Sequence, residues 1–219
     1  MGSVPTSEKQ APARAMKAPP PAYPSMTIGL LGGSFNPAHE GHRHISETAM
    51  KRLSLDRIWW LVTPANPLKP RRDFAPLETR LAAAYRQAAH PRIDVTAFEA
   101  ARPDAYTVNS LDFLIRRYPA TRFVWLMGAD ALAGFHNWRD WRRIARQVPI
   151  AVLDRPGYRF AALSSRAANT LARNRMDESD AAGLARLSPP AWALLTLPLS
   201  ALSSTFLRNN PVQSGGESR

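Results

Sequence analysis

His39 and His42 stand three residues apart in the run Gly32-Gly33-Ser34-Phe35-Asn36-Pro37-Ala38-His39-Glu40-Gly41-His42. They flank Gly41 just where an apolar stripe at helical spacing begins, through Ile45, Ala49 and Leu53. Two imidazoles in the first turn of a helix can point back over one spot. Helix N–H groups and the positive end of the helix dipole already attract an anion there. As donors to phosphate oxygens, the two rings would stabilise charge that grows during group transfer. The glycines of the run admit backbone conformations closed to other residues, so amides can turn inward and a bulky anion can come close. Taken alone, the pair also fits a glycine turn with one capping and one surface histidine. Metal ligation is disfavoured, since no cysteine and no nearby carboxylate pattern completes a site. The run is neither a Walker A loop, lacking Gly-Lys-Ser/Thr, nor a G-x-G-x-x-G turn.

Elements that could position such a loop follow from periodicity. Short β-rich apolar runs occur at Thr27 to Leu31, Arg57 to Thr63, Ile93 to Thr96, Arg122 to Met127, Pro149 to Leu153 and Ala193 to Leu197. Helical patterns lie between them, over His42 to Leu53, Leu77 to Ala88 and Val108 to Tyr118. Nearly continuous apolar strands separated by helices predict an α/β fold, a single doubly wound parallel sheet with helices on both faces. Ligands of such sheets sit beyond the carboxyl ends of the strands. Residues 1 to 25 are rich in Pro and Ala and nearly devoid of bulky aliphatics, which predicts a disordered tail without the apolar core of a secretory signal. Residues 211 to 219 read as a flexible C-terminal tail, which leaves 26 to 210 as one domain.

Composition bounds the chemistry. The chain has 219 residues with 29 Lys and Arg against 17 Asp and Glu, a net charge of +12 that suits anionic ligands. Cysteine is absent, which excludes disulfides, thiol catalysis and Cys-ligated metals. No apolar run approaches the roughly 20 residues of a membrane-spanning helix, so a soluble, cytoplasmic protein without a membrane partner is expected. The stretch Trp138 to Arg146 reads first as a solvated helix face anchored by two tryptophans, with a nucleic-acid patch as the rival reading.

The eleven residues GGSFNPAHEGH, in a strand–loop–helix context, resemble the G-x-F-x-P-x-H-x-G-H motif of the HxGH nucleotidyltransferase superfamily. Further segments narrow the resemblance to bacterial nicotinate mononucleotide adenylyltransferases. They are Pro64 to Lys69, Tyr106 to Val108, Gly128 to Leu132 running into Phe135 to Trp138, Arg155 to Tyr158, and Leu202 to Arg208. The chain departs from the family pattern at Ser34, Asn36 and Leu68. The resemblance implies a Rossmann-like nucleotidyltransferase fold and transfer of AMP from ATP to nicotinate mononucleotide, giving deamido-NAD and pyrophosphate in NAD biosynthesis. It assigns catalysis to His39, His42 and Arg208, with Mg2+ held mainly by the substrate phosphates rather than by a protein metal site.

The resemblance also implies the contacts of each substrate. ATP would meet Gly32, Gly33, Ser34, Phe35, Gly128, Asp130, Ser203, Ser204 and Thr205. Residues 203 to 205 also offer an N-cap with free amides, and Arg208 a fork for phosphate. Asp130 can take the ribose diol, although by itself it would serve as a helix N-cap. The mononucleotide would meet Asn66, Lys69, Tyr106, Thr107, Trp138 and Arg155. Trp138 is a flat, polarisable surface suited to a pyridinium ring. Tyr106 and Thr107 open a helix whose amides suit the nicotinate carboxylate. Trp141 reads as core. Rival acceptors are nicotinamide mononucleotide and phosphopantetheine. A basic nucleic-acid-binding protein is the rival from another class, but it leaves the loop motifs without a role. ATP and nicotinate mononucleotide are the expected partners, with no nucleic acid; the sequence leaves monomer and homo-oligomer equally open.

Overall fold

A computed structural model describes residues 17–64, 75–102 and 104–196. Among the described residues, six strands form one parallel sheet: β1 (Thr27–Gly33), β2 (Arg57–Val62), β3 (Ile93–Thr96), β4 (Arg122–Gly128), β5 (Ile150–Leu153) and β6 (Trp192–Leu195). Their order is β3-β2-β1-β4-β5-β6. The chain therefore winds outward from β1 in one direction and then, from β4, in the other. The loops after β1 and β4 diverge to opposite faces and open a crevice between them, the usual ligand position in such sheets.

Helices cover both faces. In chain order they are α1 (Glu40–Arg52), α2 (Leu77–Ala88), α3 (Thr107–Arg117), α4 (Ala129–Gly134), α5 (Trp141–Gln147), α6 (Arg159–Leu163) and α7 (Arg166–Thr170). Strand side chains alternate between the faces, and β2 makes the alternation plain. Trp59 joins Trp125, Leu111, Phe135 and Ile144 on the face of α3 and α5. Trp60 joins Phe35, Leu53, Leu81 and Ala84 on the face of α1 and α2. Both indoles are fully buried, which is why the strand reads as continuously apolar rather than alternating.

The expected strands and the three expected helices are present, with ends moved by one or two residues. The N-terminal boundary differs. Residues 17 to 25, expected in the tail, lie against the domain through specific hydrogen bonds. The buried Thr96 hydroxyl donates to the Ala18 carbonyl at 2.7 Å, and the Tyr118 hydroxyl donates to the Pro20 carbonyl at 2.9 Å. Ser25 N–H donates to the Ala120 carbonyl at 2.8 Å. A proline-rich segment has little chain entropy to lose, so a few hydrogen bonds hold it without an apolar stripe. No helix among the described residues is long and apolar enough to cross a membrane.

Candidate active site

The first loop leaves β1 at Gly33. Neither Gly32 nor Gly33 takes the left-handed conformation that the sequence reading expects glycine to supply. Their lack of a side chain serves packing instead: a Cβ on Gly32 would lie 2.7 Å from the Trp125 ring, and one on Gly33 would lie 3.3 Å from Phe35. The left-handed residue is Phe35, at φ 45°. A phenylalanine there carries backbone strain of about 1–3 kcal/mol, which its surroundings must hold. Its buried ring stacks on Trp60, with centroids 5.0 Å apart, and lies 4.8 Å from the ring of His42.

His39 is the N-cap of α1 and His42 the third residue of that helix. Their rings meet at 3.9 Å between centroids, so the two imidazoles do share one spot. The backbone N–H of His39 donates to Nδ1 of His42 at 3.2 Å. Burial lowers His39 to about 4 with help from the Arg155 charge. Burial lowers His42 to about 3, aided by His39 and Arg155. Both rings are therefore neutral near pH 7, and His42 carries its proton on Nε2, where it can donate. His39 is buried; the His42 N–H faces its side chain in a capping box, but neither ring nitrogen completes a hydrogen bond among the described residues. A buried polar ring of that kind is costly unless a ligand completes it.

Across the crevice, β4 ends at Gly128 and α4 opens with Ala129 and Asp130. Asp130 accepts a 2.7 Å bond from Arg155, the second residue after β5. The candidate ribose carboxylate and the candidate phosphate guanidinium thus satisfy each other in this state. Arg155 is in turn held near its place by the Asp154 carboxylate, which accepts from the Arg155 backbone N–H at 2.8 Å.

Trp138, Tyr106 and Thr107, expected around the pyridine ring, lie on neighbouring segments. Trp138 is half-buried and meets Phe135 and Trp125 edge to face, at 5.4 and 6.3 Å. Trp141 is core, as expected. Tyr106 is the N-cap of α3 and Thr107 its first residue. The Arg139 guanidinium lies 4.6 Å above the Tyr106 ring and so ties the Trp138 segment to the start of α3. Asn66, Lys69, Ser203, Ser204, Thr205 and Arg208 fall outside the described residues.

Two buried charged residues escaped the sequence reading. Arg80 is 2% exposed, and its guanidinium donates to four backbone carbonyls around the loops. Glu99 is 3% exposed and accepts from the Ser110 hydroxyl at 2.6 Å, tying the turn at Phe98–Ala101 to α3. Burial pushes its carboxyl up to about 7. A signal for Arg80 exists in retrospect: it interrupts the apolar stripe of Leu77, Leu81, Ala84 and Ala88 on a face that ought to be buried. Glu99 has no comparable signal.

A six-stranded parallel sheet carrying a histidine pair on the loop after its first central strand defines a nucleotidyltransferase, and the cytidylyltransferase-like family matches residues 30–210. A probable nicotinate-nucleotide adenylyltransferase of Methylorubrum extorquens is 56% identical over 84% of this chain and 99% of its own length. One from Rhizobium johnstonii is 51% identical over 88% of this chain and 96% of its own length. The chain belongs to the nicotinate-nucleotide adenylyltransferase family within that cytidylyltransferase-like group. The fold is also similar to Plasmodium falciparum nicotinic acid mononucleotide adenylyltransferase complexed with NaAD. That match has a TM-score of 0.62 and 15% identity, covering 84% of this chain and 83% of the other.

Proposed function

We propose that the chain joins ATP and nicotinate mononucleotide in the crevice between β1 and β4, with His39 and His42 at the transferring phosphorus. A 5′-phosphate oxygen of the mononucleotide attacks the α-phosphorus of ATP. The bond from that phosphorus to the bridging oxygen breaks, and pyrophosphate leaves with the electron pair. The nucleophile is already ionised, so the protein needs no general base. Its work is to align two anions and to neutralise charge that develops on the α-phosphoryl and leaving oxygens.

The observation that carries this reading is the pairing of the His39 and His42 rings, 3.9 Å between centroids with the His39 N–H on Nδ1 of His42, at the switch point of the sheet and at a helix N-terminus. A neutral donor on a short, packed side chain supplies a directed hydrogen bond, and α1 adds its dipole. Among the described residues no cluster of His, Asp and Glu forms a cation site. Mg2+ accompanying ATP would shield the charge of the phosphates. Gly128 and Asp130 take the ribose of ATP. Trp138 stacks on the pyridinium ring, the start of α3 at Tyr106 and Thr107 takes the carboxylate, and Arg155 exchanges Asp130 for phosphate. The remaining contacts are assigned from the family resemblance: Gly32, Gly33, Ser34, Phe35, Ser203, Ser204, Thr205 and Arg208 to ATP, and Asn66 and Lys69 to the mononucleotide.

Pyrophosphate release, measured with ATP and Mg2+ against nicotinate mononucleotide, nicotinamide mononucleotide and phosphopantetheine, tests the reading. Turnover should favour the nicotinate form and collapse in His42→Ala. Preference for another acceptor would remove the roles given to Trp138, Tyr106 and Thr107. Failure of all three acceptors would remove the whole assignment.

A further inference from the structure

We propose that Arg80, on α2 and outside every expected contact with substrate, is a positioning residue that sets the phosphate loop and, through it, His42. The inference rests on the reading that His42 acts on the transferring phosphate. Arg80 Nε donates to the Ala75 carbonyl at 2.9 Å, and Nη1 donates to the carbonyls of Ser34 and Thr63 at 2.7 and 2.8 Å. Its Nη2 donates to the Pro64 carbonyl at 3.0 Å. Those acceptors lie just after β1, just after β2 and just before α2, so one planar fork joins three chain segments. Asn36 adds a second strut, its Oδ1 accepting from the Ala75 N–H at 3.2 Å.

The bond to Ser34 matters most. A trans peptide unit is planar, with its C=O and N–H on opposite sides. Holding the Ser34 carbonyl toward Arg80 therefore aims the Phe35 N–H away from the guanidinium and fixes the plane from which Phe35 enters its left-handed conformation. The Phe35 ring then packs against His42. Arg80 thus reaches the imidazole through one carbonyl, one strained residue and one ring contact. An apolar residue on the same stripe would bury as well, and a buried cation carries a desolvation cost. What the arginine adds is the orientation of four carbonyls. A lysine would keep the charge but has no planar fork with which to hold three segments at once.

The test is a double-mutant cycle on steady-state turnover of ATP with nicotinate mononucleotide, using wild type, Arg80→Lys, Phe35→Gly and the double variant. His42→Asn is measured alongside. Arg80→Lys is expected to lose kcat by about 10²-fold, as sub-ångström to ångström misplacement of a catalytic group does. Its KM values should stay within about threefold of wild type, and its circular dichroism should be native. Glycine reaches positive φ without help, so Arg80→Lys should cost less than about threefold on the Phe35→Gly background. Full additivity would overturn the proposal, as would Arg80→Lys turning over like wild type while His42→Asn is impaired. If Arg80→Lys does not fold, Arg80→Gln carries the same comparison, and loss of fold in both reduces Arg80 to a structural role and overturns the proposal. No turnover by wild type would instead defeat the underlying reading.

Discussion

The backbone N–H of His39 donates to Nδ1 of His42 at 3.2 Å, so the two histidines of the motif are chemically unequal. One supplies its backbone to fix the other's tautomer, and the other carries its proton on Nε2. Asparagine at 42 can still accept from His39 through its Oδ1 but has no donor that reaches as far. His42→Asn is therefore expected to fold normally and to lose about 10²–10³-fold in kcat, the usual cost of one donor to a developing oxyanion. Steady-state kinetics beside a thermal melt checks both halves.

The same pair makes stability depend on pH. In the unfolded chain a histidine titrates near 6.5, whereas the folded values are about 4 and about 3. Below pH 6.5 the unfolded chain binds more protons than the folded one, so stability is full above 6.5 and declines as pH falls toward 3. Melts at intervals from pH 7.5 to 5 should give a falling midpoint. A smaller fall is expected for His42→Asn, and an identical fall would refute the assignment.

Glu99 works in the opposite direction. Its folded value, raised from 4.5 to about 7, means that the folded protein holds the proton more tightly. Stability is full below pH 4.5 and declines as pH rises to 7, by about 3 kcal/mol at most. Glutamine keeps an acceptor for the Ser110 hydroxyl and never ionises. The stability advantage of Glu99→Gln over wild type should therefore grow between pH 5 and 8, and chemical denaturation at both ends of that range measures it.

The stacking proposed for Trp138 on the pyridinium ring distinguishes the two substrates. The Trp138 ring packs edge to face on Phe135 and Trp125. Loss of a desolvated cation–π contact costs about 1–2 kcal/mol. Trp138→Ala should therefore raise the KM for the mononucleotide about 5- to 30-fold and leave that for ATP nearly unchanged. Equal changes in both would place the ring elsewhere in the mechanism.

The sequence made much of the scaffold legible. α2 spans Leu77–Ala88 and β3 spans Ile93–Thr96, the ranges that periodicity gives. Segments buried on both faces are continuously apolar, and amphipathic helices advertise their stripe, so these elements write their environment into composition. The histidine pair was equally legible, because its spacing and the glycine between it are local. The glycines themselves were misread. Gly32 is small because Trp125, far along the chain, occupies the space where a Cβ would stand, while the left-handed turn fell to Phe35.

Residue types and local spacing by themselves determined the strand–loop–helix start and the parallel α/β class, because each rests on contacts within a few residues or on a pattern repeated along the chain, while the family was legible through the resemblance of the motifs. Tertiary structure alone decided which nitrogen of His42 carries the proton, that Asp130 rests on Arg155, that Glu99 is held near neutrality, and that Arg80 gathers four carbonyls from three segments. Each of these depends on desolvation and on the meeting of groups distant in sequence. Burial sets the energy of a charge or a proton, and burial exists only once the chain has closed around it.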